Sequence, residues 1–175
     1  MVLLNKQNIK NDWSKPTVKE VFNLMEEAAE RYNLAEWINV SEIVGVSERT
    51  FRRWKAKVDS EPQAQSMIPF WGYALLYSAA KGESYIQPLE GCDWPSVPGE
   101  YFYQSKNYSC PPKEVLTLLV GKNSISKQTR EPIGQAIGIA PKKLAQQIND
   151  ESVSFSTWTL LLLYVGVPVD YLLKK

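Results

Sequence analysis

Histidine is absent from this 175-residue chain and cysteine occurs only twice, and each shortage removes a class of chemistry. Without an imidazole there is no ready proton shuttle at neutral pH. With Cys92 and Cys110 18 positions apart and no CxxC pair, one chain cannot assemble a structural zinc site. Glycine-rich phosphate loops and nucleophile-elbow patterns are also missing, and Glu26, Glu27 and Glu30 read as solubilising charge on a helix face. The expectation is a protein that is not an enzyme, with no catalytic residue, metal, cofactor or small-molecule ligand. Long apolar runs are lacking too, since the most apolar stretch, 160–169, falls well short of the ~20 residues that span a bilayer. The opening Met1-Val2-Leu3-Leu4-Asn5-Lys6 carries no secretory pattern. We therefore expect no membrane association, a reducing cytoplasm and two free thiols, although a disulfide between them can be drawn on paper. Nor is there an excess of either charge: the formal net charge is +1, which gives no global attraction to nucleic acid.

What the chain does have is repetition. Lys19-Glu20-Val21-Phe22-Asn23-Leu24-Met25 returns 94 positions on as Lys113-Glu114-Val115-Leu116-Thr117-Leu118-Leu119. Glu42-Ile43-Val44-Gly45-Val46-Ser47 returns at a shift of 93 as Gln135-Ala136-Ile137-Gly138-Ile139-Ala140, and Phe51 falls on Leu144. Tyr73-Ala74-Leu75-Leu76-Tyr77 matches Trp158-Thr159-Leu160-Leu161-Leu162 at a shift of 85. Three blocks in one order indicate a duplicated helical unit, present as a tandem pair. The predicted organisation is all-α: a first unit over 13–82, a connecting arm over 83–111, and a second unit over 112–175. Units this small sit near the lower limit of self-sufficiency, so their cores are expected to pack on each other or on a second chain.

The first dozen residues read as polar and frayed. Ser14, Pro16 and Thr17 then signal the start of an amphipathic helix whose apolar stripe is Val18, Val21, Phe22, Met25, Ala29 and Tyr32, closed by Asn33. A second helix is predicted over 34–44 and a third over 48–57, capped by Ser47, with a polar loop over 58–66 and an apolar helix over 70–80. In the second unit the corresponding helices are predicted from Pro112 to Val120 and over 131–137, 141–149 and 155–165, with Pro141 at a first helical position. Gly45 and Gly138 are expected at positive φ in the turns, and Phe51 and Trp54 are expected to face the core. The arm combines Pro88, Pro95, Pro98, Pro111 and Pro112 with many aromatic residues, which reads as an ordered, packed segment with a short strand at 101–104. Tyr101, Phe102 and Tyr103 beside Lys106 could stack on single-stranded nucleic acid, but packing is the plainer reading. Trp71, Trp94 and Trp158 are read as structural.

Ser41, Gly45, Val46 and Phe51, followed by Ile68-Pro69 and an aromatic-aliphatic helix, resemble the helix-turn-helix of the lambda-repressor and Cro-like (XRE-type) regulators. Gly134, Gly138, Ile139 and Leu144 hold the same packing positions in the second copy, so the resemblance covers about two thirds of the chain. It implies two tandem lambda-repressor-like bundles whose third helix enters the DNA major groove. Phage or mobile-element origin fits that family. Mapped residue by residue, Glu48 and Arg49 would meet base edges, and Arg52 and Arg53, one turn on, base edges or phosphates; arginine can fork onto guanine and glutamate can accept from cytosine. Ser47, Thr50, Lys55 and Lys57 would be phosphate or auxiliary contacts. A solvated basic helix face, with Glu48 paired to Arg52, would show the same residues.

The second copy departs from the pattern, for Ala140 replaces the capping serine and Pro141 replaces Glu48. Lys142, Lys143, Gln146 and Gln147 remain as candidates there, for DNA or for a partner protein. The expected function is a sequence-specific regulator of transcription, repressor-like, whose partner is double-stranded DNA and for which a second copy of the chain is a candidate partner. An antirepressor or antiactivator with degenerate DNA binding is the first alternative, and an architectural factor in excision or partition is the second.

Overall fold

Thr17 opens the first helix through a reciprocal cap. Its hydroxyl accepts from the Glu20 N–H at 3.2 Å while its own N–H donates to the Glu20 carboxylate at 2.6 Å, so two donors that a helix start leaves unpaired are satisfied together. The computed structural model describes residues 13–174, and in those residues the chain is helical with no β-strand. The expected frayed segment at the N-terminus lies outside them. Helix α1 (Val18–Arg31) buries Val18, Val21, Leu24, Met25, Ala28 and Ala29, and Asn33 at φ 50° ends it.

The single helix predicted over 34–44 is instead split. A 3-10 turn (Trp37–Asn39) precedes α2 (Val40–Val44), because the chain leaves Asn33 left-handed and Glu36 extended. Tertiary stacking selects that path: the Trp37 ring lies parallel to Phe51 at 6.0 Å and edge-on to Phe22 at 5.7 Å. Helix α3 (Glu48–Trp54) also stops earlier than the predicted Lys57. Lys57 is at φ 73°, and the buried Ser66 hydroxyl takes the Trp54 carbonyl at 2.5 Å, which ends the helix where its ladder would continue. Helix α4 (Phe70–Lys81) then packs on α1.

The predicted strand at 101–104 does not form. The arm holds three 3-10 turns (Trp94–Ser96, Gly99–Tyr101 and Ser105–Asn107), and among the described residues no neighbouring strand offers 101–104 an edge to pair with. It is nevertheless anchored on both halves. The Trp158 indole N–H donates to the Tyr101 carbonyl at 2.8 Å, Tyr108 donates to the Val153 carbonyl, and Ser105 donates to the Glu42 carbonyl.

The second half comprises α5 (Lys113–Leu119), α6 (Arg130–Ile137), α7 (Pro141–Asn149) and α8 (Phe155–Tyr164). A short α9 (Val169–Leu172) follows, which the sequence reading missed. Pro168 precedes it, Leu172 and Leu173 are buried, and Tyr171 packs against Trp94 and Phe102. Helices α4 and α8 are apolar nearly all round and pack on each other, so the two halves share one continuous core. The leucines at 160–163 are at most 1% exposed, and each contributes about 1.5–3 kcal/mol by burial. Both cysteines are free thiols, and no helix among the described residues is long and apolar enough to cross a membrane.

Candidate nucleic-acid interface

The same turn is built twice. After α2, Gly45 at φ 72° and ψ 35° donates its N–H to the Ser41 carbonyl, which also accepts from Val46 at 3.0 Å. After α6, Gly138 at φ 73° and ψ 25° donates to the Gly134 carbonyl, which also accepts from Ile139 at 2.8 Å. The position four before each glycine must be small. Ser41 is buried, and a Cβ at Gly134 would stand 2.6 Å from the Ile139 oxygen.

Beyond the first turn, α3 is fixed from beneath by Phe51 and Trp54, both buried, and from its start by Ser47, which accepts from the Thr50 N–H at 3.2 Å. The Thr50 hydroxyl is engaged with the same serine at 3.0 Å. Arg49, Arg52 and Arg53 are exposed, and their i, i+3, i+4 spacing puts them on one side of the helix. Arg52 pairs with Glu48 at 3.5 Å, an exposed contact of little energetic weight that a competing anion can replace. Among the described residues no carboxylate pairs with Arg49 or Arg53.

Two expected contacts are already occupied. The Lys55 ammonium rests 4.7 Å from the Phe22 ring centre and 4.8 Å from that of Trp37, and Lys57 pairs with Glu61 at 3.1 Å. Nothing local in the sequence announces the first of these, because Phe22 and Trp37 reach Lys55 only through the fold.

Helix α7 presents Lys142, Lys143 and Gln146 outward, all exposed, but it lacks a side-chain cap at Ala140. Gln147 turns inward. It occupies the position of Trp54 in the repeat, and its amide oxygen is buried with no hydrogen-bond partner, so it does not join the outward face. An open cleft of about 540 Å³ in the second half is lined by Val120, Thr129, Arg130, Ala145 and Ile148. Arg130, Ala145 and Ile148 stand at the repeat positions of Trp37, Arg52 and Lys55, so the second half has no indole at the position from which Trp37 stacks on Phe51 in the first.

The residues that sequence reasoning overlooked are Phe70 and Phe155. A Cβ on Gly45 would come within 2.3 Å of the Phe155 ring, and one on Gly138 within 2.3 Å of the Phe70 ring. The signal was present, since both phenylalanines are the first residue of the fourth α-helix in their copy.

The cap difference is measurable. Ser47→Ala should lower the thermal stability of the chain by about 1 kcal/mol, whereas Ala140→Ser, which supplies a missing cap, should raise it by a similar amount. Calorimetry on the two variants checks both signs.

No protein-family profile, characterised protein or solved structure matches the chain.

Proposed function

We propose that the chain is a sequence-specific regulator of transcription that binds double-stranded DNA through two tandem helix-turn-helix units, chiefly through α3. The observation that carries this reading is the state of α3. It stands capped beyond a left-handed glycine turn, locked by Phe51 and Trp54, with Arg49, Arg52 and Arg53 on its outward side. In such a helix Arg49 forks onto guanine O6 and N7, Glu48 accepts from cytosine N4 once Arg52 releases it, and Arg53 meets a phosphate. The near-neutral net charge leaves attraction to the duplex to this local cluster. No cofactor enters the proposal, and its setting is the cytoplasm.

Binding to a random duplex, followed as salt is raised, is the first test, and selection of sites from a random pool is the second. On a selected site Arg49→Ala should cost about 1–3 kcal/mol and relax the preference at one base position, while Arg53→Ala should weaken all duplexes evenly and lower the salt slope by about 1. An Arg49→Ala variant with unchanged site preference would remove α3 from the reading head.

A second reading, a protein-interaction module such as an antirepressor, draws on α7. Its uncapped start and inward Gln147 suit a helix that no longer reads bases. Binding that is absent at every salt concentration would leave that reading alone.

A further inference from the structure

We infer that the two halves form an internal pseudo-dimer, so that a single chain reads two inverted half-sites of different sequence. The inference rests on the DNA-binding reading above and adds the architecture of the site. Its basis is the crossed pair of contacts. Gly45 and Gly138 are equivalent in the repeat, as are Phe70 and Phe155, and the structure joins Gly45 to Phe155 and Gly138 to Phe70. The turn of each half receives the ring of the other. An operation that carries the first half onto the second must therefore carry the second back onto the first, which is the property of a two-fold axis. A head-to-tail arrangement would join each glycine to a different kind of surface. Helices α4 and α8, themselves equivalent, also pack on each other, as such an axis requires.

The tails cross as well. Beyond α4, the Leu89 N–H donates to the Tyr164 carbonyl of the second half at 2.7 Å. Beyond α8, Asp170 pairs with Arg31 of the first half at 3.0 Å, and Tyr32 donates to the Leu173 carbonyl at 2.6 Å.

Two-fold related reading heads meet a duplex at half-sites of opposite orientation, because the duplex backbone carries the same symmetry. The heads here are unlike. Arg49, Arg52 and Arg53 in the first correspond to Lys142, Ala145 and Gln146 in the second, so the half-sites differ in sequence and the operator is inverted without being a true palindrome.

The full-length chain is first tested for salt-dependent duplex binding, then used to select sites, and the complex with the selected duplex is weighed by native mass spectrometry and footprinted. The expected result is one chain per duplex, two protected major-groove segments, and inverted half-sites of unlike sequence. Inserting five base pairs between them should lower affinity on the order of 100-fold, since each lost base contact costs about tenfold or more. Arg49→Ala should relax one half-site alone. In an assembly of two chains Arg49 would serve both halves, so relaxation of both, two chains per duplex, a direct repeat or a single half-site each overturns the pseudo-dimer. Absence of salt-dependent binding at the first step overturns the DNA reading itself, and with it this inference.

Discussion

Replacing Gly45 by alanine should lower the stability of the protein by about 2–5 kcal/mol, of which ~1–2 is the left-handed backbone and ~1–3 is the collision of the new methyl with Phe155. The two parts can be separated. Gly91 is also left-handed, at φ 76°, but nothing lies within 4 Å of the site a Cβ would take, so Gly91→Ala should show the backbone part alone. Combining Gly45→Ala with Phe155→Ala should recover the collision, a coupling on the order of 1–3 kcal/mol in a double-mutant cycle followed by urea denaturation. Gly138 with Phe70 should behave alike. Gly45 with Phe70 and Gly138 with Phe155 should be additive within about 0.5 kcal/mol. Coupling of equal size in all four pairs would remove the crossed seam.

Alkali should open the same structure. Burial raises the phenols of Tyr32, Tyr85, Tyr108 and Tyr164 above the usual tyrosine value of 10.0, and pushes Tyr73 up to about 12. At Tyr32 the neighbouring Arg31 opposes burial without cancelling it. A phenol whose pKa is higher in the folded chain favours folding fully below pH 10, and that contribution is lost as the pH climbs from 10 toward the folded value. The loss is sharpened by what these phenols do. Tyr32 and Tyr108 donate to carbonyl oxygens, and a phenolate cannot donate. Between pH 10 and 12 the tyrosinate absorbance and the helical circular dichroism should therefore change together. Tyrosines that all titrate near 10 while the helices remain intact would contradict the burial of these rings.

Much of this arrangement was legible in the chain, and the parts that were not share a cause. The bounds of α7, the positive φ of Gly45 and Gly138, and the inward direction of Phe51 and Trp54 follow from local rules, namely proline at a first helical position, glycine after a helix and the helical period. The break before α2 was hidden because Trp37 is held by Phe22 and Phe51, residues 15 and 14 positions away. The strand expected at 101–104 failed for want of a partner edge, a property of the fold and not of the segment. At the candidate interface, the outward direction of Arg49 could be counted off from Phe51. The capture of Lys55 by two distant rings could not. Gln147 could have been placed, since its equivalence to Trp54 was already in the repeat.

The seam between the halves has a further consequence, for the way the protein responds to dilution. Two separate chains making the Gly45–Phe155 and Gly138–Phe70 contacts would part as their concentration fell, and their stability could be quoted only at a stated concentration. Here one polypeptide carries both sides, and the connecting arm keeps each ring at an effective concentration near millimolar even when a single molecule is present. Closure of the seam is thus a first-order event, independent of abundance. It is also free of the doubling that burdens a homodimer, in which every substitution is felt twice. Ala140 can differ from Ser47, and Gln147 from Trp54, because a change on one side of the seam leaves the other side as it was.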